Sequence, residues 1–312
     1  MPRLGLWLRG LQALPEERYG RVLPALWGQG EGESIAAPST LHLAARLLGL
    51  PEPLAAAAFL AVAEGVEVAG RWVMALEPVS FGGQAGRLAL APAALPGEVE
   101  SAALFAAATV EFSDSPWQLA RGTRRWYVLQ DVAPDLRSSD PNELWGREPP
   151  LRPWQGQDAA EFQRFLNALQ MFLAVQPSNR AREAAAEDPC CHFWAWGEGS
   201  LPVDRPTLPW QALCGADELL HAVAQWAGIR LWDGQGAMPD GLLWSWPQPW
   251  FLPETATAFA ELWQQIRPVT TLEIWTGRFA EREQAEHLRW RSQDRWRFWR
   301  RPRLPGGARE AR

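Results

Sequence analysis

Two short runs hold most of the residues able to do chemistry. The first is Gln176-Pro177-Ser178-Asn179-Arg180-Ala181-Arg182, and the second is Cys190-Cys191-His192-Phe193-Trp194-Ala195-Trp196-Gly197-Glu198-Gly199. Free N–H groups at a helix start favour negative charge, and an Arg fork matches phosphate or carboxylate. Asn179, Arg180 and Arg182 therefore form a candidate anion site. Gly197 and Gly199, after Trp196, let the backbone turn or approach a ligand. An alternative reading leaves Ser178 or Asn179 as a simple helix cap, with both Arg in water.

Other chemistries find less support. Cys190 and Cys191 are adjacent, so an extended chain points them to opposite faces, whereas structural zinc favours Cys-x-x-Cys. No metal is expected here, and the thiols read as buried and inert. No Gly-x-Ser-x-Gly occurs, Ser200 has no local base, and no two carboxylates among Glu161, Asp188, Glu198 and Asp204 pair convincingly. No catalytic residue is assigned.

Composition narrows the classes. All 30 basic residues are Arg. That excludes the phosphate-loop Lys, the kinase strand Lys and Schiff-base chemistry. The four His have no metal-ligand spacing, and the three Cys make no disulfide framework. The longest apolar run, Leu54 to Ala63, is too short to span a bilayer, and no signal peptide is apparent. The expectation is a cytoplasmic, tryptophan-rich protein with no cofactor and no membrane partner. Residues 278–312 hold 11 Arg against five acids, a net +6 within a total of −6. This segment, with Trp290, Trp296 and Trp299 among its Arg, is read first as packing on its own acidic body, and nucleic acid as the less favoured partner.

The elements that must position these residues follow from periodicity. Residues 1–64 read as helical. Strand-like pieces follow at Gly70–Leu76 and Arg87–Leu90 around a turn at Phe81-Gly82-Gly83, then a helix over about 98–112 and a buried strand Arg125–Gln130. The clearest helix covers about 158–175, with Phe162, Phe165, Leu166, Leu169, Phe172 and Leu173 at helical spacing. Later come helices at about 216–227, 254–266 and 279–292, and strands at Gly241–Trp246, Thr270–Trp275 and Arg295–Trp299. That alternation predicts an α/β fold with a largely parallel sheet and flanking helices over 121–312, carrying the central motif, after a less regular α+β region over 1–120. The glycine turn would then lie at the carboxyl end of a sheet strand, where ligands bind.

The run Pro177-x-Asn179-x-x-Arg182, followed by Trp194-x-Trp196-Gly197-x-Gly199-x-Leu201-Pro202, resembles bacterial regulatory proteins of the RpfE type, also called cofactor-independent phosphoglycerate mutase-like. Arg125-Trp126-Tyr127 and Arg297-Phe298-Trp299-Arg300-Arg301 match as well. The resemblance implies a reduced alkaline-phosphatase-like scaffold. Gln176 replaces the family's His, Cys191-His192 its Asn-Ser, and Glu198 its middle glycine. The two-metal ligands and Ser nucleophile of true mutases have no counterpart in the motifs. A regulatory or binding role is therefore expected, with a protein or a phosphorylated small molecule as partner. The alternative is phosphotransfer on such a molecule.

Overall fold

The structure, a computed structural model, describes residues 3–8, 22–84, 87–215, 217–245, 269–277, 284–297 and 300. Along the chain the elements are β1 (Arg3–Trp7), α1 (Val22–Gln29), β2 (Glu31–Ala36), α2 (Thr40–Leu48), α3 (Ala56–Ala63), β3 (Trp72–Gln84), β4 (Arg87–Pro92), α4 (Glu98–Glu111), β5 (Gln118–Arg121) and β6 (Trp126–Gln130). Then follow α5 (Ala159–Ala174), α6 (Pro177–Ala184), β7 (Phe193–Gly199), β8 (Ala212–Cys214), α7 (Glu218–Ala227), β9 (Arg230–Leu231), β10 (Leu242–Ser245), β11 (Thr271–Gly277) and β12 (Gln284–Arg291). Contacts divide the chain into two compact units. Residues 1–50 and 206–312 form one, and residues 51–205 form the other. The boundary expected near Arg121 falls inside the second unit, between the paired strands β5 and β6.

In the first unit seven strands run in the order β2-β12-β11-β1-β10-β8-β9. The pairs β11–β1, β1–β10, β10–β8 and β8–β9 are parallel, while β12 joins β11 and β2 antiparallel. A largely parallel sheet is thus present. On one face Leu4, Leu6, Leu242, Leu272, Ile274, Leu288 and Trp290 build the core. On the other, a Cβ at Gly5 would run into the Trp210 ring, and Arg3 lies 4.4 Å above that ring. Glycine is what allows the indole to lie flat on β1.

Several expectations are corrected here. The helical reading of residues 1–64 misses β1 and β2, because a five-residue apolar run such as Arg3–Trp7 carries no decisive period. The helix expected over 279–292 is strand over 284–291, where Leu288 and Trp290 alternate into the core. Its Glu, Gln, Ala and Arg content favours helix locally, and burial overrides it. Residues 292–296 form a 3-10 turn, which takes in Arg295 and Trp296, the expected start of the strand Arg295–Trp299. The helix expected at 254–266 lies outside the described residues.

The second unit carries an antiparallel sheet, β4-β3-β6-β5, with β7 on the free side of β3. The motif strand β7 therefore belongs to this sheet and not to the parallel one. Its apolar run fits because it is covered on both faces. α3, with five Ala among its eight residues, packs on one side. On the other, Ala195 and Phe193 meet an aromatic core of Trp126, Trp117, Trp154, Phe162 and Phe165. The Trp126 and Phe193 rings stack at 5.1 Å, and Trp117 meets Phe162 edge-on at 4.9 Å. α5 contributes Phe162, Phe165, Leu166, Leu169 and Leu173 to this core, the face its spacing predicts. Each such side chain stabilises the fold by about 1.5–3 kcal/mol. β3 runs on through Gln84, so Phe81-Gly82-Gly83 is strand rather than turn.

Candidate functional site

The helix start at Pro177 is built differently from a capped anion cradle. Gln176 is the N-cap residue, with no side-chain cap bond, and Pro177 opens α6. Ser178 and Asn179 therefore lie inside the first turn and cap nothing. Asn179 is fully buried. Its Nδ2 donates to the Leu173 carbonyl at 2.8 Å and the Cys190 carbonyl at 3.1 Å, and its Oδ1 accepts the Cys190 N–H at 2.8 Å. This amide ties the end of α5 to the approach to β7, and no polar atom is left over for a ligand.

Arg182 holds the same loop. Its Nε donates to the Asp188 carbonyl at 2.8 Å, and its Nη1 faces Glu187 at 3.4 Å and Glu100 at 3.6 Å. Arg180 is exposed on α6. The loop pinned by these contacts forms one wall of a cleft of about 540 Å³, with Arg182, Glu187, Asp188, Cys190 and His192 facing Val79, Ser80 and Phe81. A smaller hollow of about 180 Å³ also includes Phe81 and His192, and is lined by Trp154, Leu166, Phe193 and prolines. Phe81 meets the His192 ring edge-on at 5.4 Å.

Two titratable groups of the cleft, His192 and Cys190, are pushed toward their neutral forms. Burial lowers the pKa of His192, which favours uncharged imidazole at neutral pH. Burial, reinforced by the neighbouring Cys191, pushes the Cys190 thiol up to about 12. His192 and Cys190 thus favour the neutral imidazole and the thiol over the imidazolium and the thiolate.

Trp196, Gly197 and Gly199 lie at the other end of β7, which spans about 20 Å at strand rise. Trp196 is buried, and its Nε1 donates to Glu77 at 3.3 Å. Gly197 has φ +73°, and a Cβ there would lie 3.0 Å from the Ala57 nitrogen; at Gly199, φ +140°, it would lie 2.7 Å from the Ala55 Cβ. Both glycines admit the start of α3 rather than a ligand. Glu198 between them accepts the Ser138 N–H at 3.0 Å and also its hydroxyl. The structure brings Arg182 to the cleft, seals Asn179 behind it, and separates both from the glycine pair.

Two charged groups escape a reading by motif. In the second unit Arg125, almost wholly buried, pairs with Glu64 at 3.2 Å and Glu77 at 2.9 Å. The Tyr127 hydroxyl beside them is pushed far above its ordinary pKa by burial and by the Glu64 charge. The only sequence signal was Arg125-Trp126-Tyr127 within the family pattern. In the first unit a row crosses four neighbouring strands. Arg3 Nε meets Glu273 at 2.8 Å, Glu273 meets His287 Nε2 at 3.3 Å, and His287 Nδ1 meets Glu33 at 2.9 Å. Burial pushes the Glu273 carboxyl up, but hydrogen bonds from His287 and Arg3 outweigh it and hold it below its ordinary value.

The Arg-rich end is only partly described. Trp290 is buried in the core, Arg297 pairs with Asp294 at 3.0 Å, and Arg295 lies 5.3 Å over the exposed Trp296 ring. Trp290 is therefore no base-stacking residue, and Trp299 and residues 301–303 lie outside the described set.

The two-metal centre of true mutases asks for clustered Asp and His donors. Among the described residues no group of three or more His, Cys, Asp or Glu side chains is placed to hold a metal ion. The described donors do not fit it. No helix among the described residues is long and apolar enough to cross a membrane.

No protein-family model matches the chain, and no curated protein matches it. Among solved structures it is similar to the cofactor-independent phosphoglycerate mutase of Thermoplasma acidophilum DSM 1728, with 13% identity and a TM-score of 0.43 over 93% of this chain and 89% of that one. It is also similar to a protein of Pyrococcus horikoshii, with 14% identity and a TM-score of 0.48 over 93% and 87%.

Proposed function

We propose that this chain is a cytoplasmic member of the RpfE-type, phosphoglycerate mutase-like proteins, and that it serves a binding or regulatory role in place of the metal-dependent mutase reaction. The observation that carries this reading is the Asn179 clasp. The amide that the helix start marks as part of an anion site is committed to the Leu173 and Cys190 main chain. It shapes a preformed cleft without entering it. Arg182 is likewise braced by the Asp188 carbonyl and by Glu187 and Glu100, so the cleft wall is rigid before any ligand arrives. Cys190, held protonated by burial, lines that wall without supplying a thiolate, and burial disfavours the imidazolium form of His192. Three free thiols accord with a reducing compartment.

The test combines turnover and binding on one preparation. Purified protein is incubated with 2- and 3-phosphoglycerate and with added magnesium or manganese, and the interconversion is followed. Thermal shifts with phosphorylated three-carbon acids are measured in parallel. No interconversion is expected above the protein-free rate. Conversion at enzyme-like rates, abolished by chelator, overturns the reading.

A further inference from the structure

The ladder between β7 and β3 stops at a defined place. Val79 N–H donates to the His192 carbonyl at 3.0 Å. In a regular antiparallel ladder the next bonded pair on that side would join Phe81 to Cys190. Cys190 instead gives both its N–H and its carbonyl to the Asn179 amide. Phe81 does not turn to β4 either. It stands opposite Leu90, whose main chain looks outward, its N–H to the Arg147 carbonyl at 2.9 Å and its carbonyl to the Gly146 N–H at 2.8 Å. Positions 81 and 90 are thus a non-hydrogen-bonded pair, and the Phe81 N–H and C=O point to the side that β7 has left. Among the described residues they have no backbone partner, and the Phe81 side chain is itself 40% exposed.

Two hollows meet at this open edge, since Phe81 and His192 line both. A strand laid along Phe81 would pass within reach of both hollows. The larger one offers the exposed acids Glu187 and Asp188, with Arg182 already set against Glu187 and Glu100. The smaller one is apolar, walled by Trp154, Leu166, Phe193 and prolines. The chain as a whole carries −6, which favours approach of a cationic segment.

We infer that the β3 edge at Phe81 takes an extended segment of a partner protein by strand addition, the segment carrying a basic residue close to an aromatic or branched aliphatic one. Main-chain bonds to Phe81 supply affinity and the two hollows supply selectivity. This inference rests on the binding role proposed above and names the partner's chemistry.

Panning a displayed library of random peptides on the full chain tests it. Enriched peptides are expected to share a basic residue close to an apolar one. Phe81→Pro removes the edge N–H without removing a bond inside the chain and should weaken them by about tenfold or more. Phe81→Ala keeps the N–H and should weaken them less. Asp188→Asn should erase the preference for the basic residue. Methylating the alternate peptide amides that face β3 should abolish binding to the unaltered protein, a readout independent of how any variant folds. The inference fails if no peptide enriches, if binding ignores both Phe81→Pro and amide methylation, or if the edge proves to hold a second copy of this chain, seen as a dimer that Phe81→Pro dissociates. Phosphoglycerate turnover would remove the binding role while leaving Phe81-dependent peptide capture standing. Metabolite binding without peptide enrichment removes only the strand-addition site.

Discussion

The side-chain amide of Asn179 faces the main chain of Cys190 as a neighbouring strand would, accepting its N–H at 2.8 Å and donating to its carbonyl at 3.1 Å. One buried residue thereby ends β7, fixes the loop from 185 to 192, and leaves Phe81 without its next partner. A residue read as a ligand anchor turns out to set the shape of the cleft from behind.

Asn179→Ala should therefore cost stability before it costs binding. It strands the Cys190 carbonyl and N–H, each worth about 1–3 kcal/mol when unsatisfied, with partial rescue by water, while the Leu173 carbonyl keeps the Gln176 N–H. A loss of about 3 kcal/mol is expected in urea unfolding. Ser178→Ala should shift stability by under about 0.5 kcal/mol, since Ser178 caps nothing. Equal losses in the two variants would show that the helix start, not the clasp, holds the loop.

How much of this was legible follows from what each signal measures. α5 was readable because five apolar residues at helical spacing bury one face, and β6 because Trp126 to Leu129 form an unbroken buried run. β7 was readable as a strand, but periodicity says nothing of which sheet a strand joins, so its glycine end was placed beside the wrong partner. The ends of β7 are near neighbours in sequence and about 20 Å apart in space. Asn179 stood out by type, yet its burial depends on Cys190 returning eleven positions later. The pairing of His287 with Glu33, 254 positions apart, has no local trace at all.

The thiols should be inert in the folded protein. With Cys190 raised to about 12 and Cys191 and Cys214 also raised by burial, the thiolate fraction of Cys190 at about pH 8 is roughly one in ten thousand. Dithionitrobenzoate should label the native chain slowly, and guanidinium should release three equivalents. Prompt labelling of one thiol in the native protein would show that burial does not hold the cleft thiol protonated and would reopen a nucleophilic role.

Acid should weaken the first unit through Glu273. Its carboxyl is held below the ordinary 4.5 in the folded chain, by bonds from His287 and Arg3 that outweigh burial. A depressed carboxylate contributes stability that is present above its unfolded pKa and is lost as pH falls through the folded value. Glu33, His287 and Arg3 lie in the same row. Glu273→Gln should lower stability at neutral pH and flatten its decline below about pH 4.5. An unchanged slope in unfolding experiments across that range would assign the acid sensitivity elsewhere.

Gly197 and Gly199 separate a packing role from a ligand role most cleanly. Each has a positive φ, and a methyl group at either would press on the first residues of α3, at 3.0 Å from the Ala57 nitrogen and 2.7 Å from the Ala55 Cβ. Gly65 also has a positive φ, +82°, but open space around it. Backbone strain alone should make Gly65→Ala cost about 1 kcal/mol. Gly199→Ala adds the steric overlap and should cost about 2–4 kcal/mol, since Ala55 and the strand must move apart. Gly197→Ala should fall between them. If these glycines instead existed to admit a ligand, the Ala variants would keep the Gly65→Ala level of stability and lose only binding. A melting series of the three variants decides between the two, because only close packing against α3 predicts a rank that follows the clash distances.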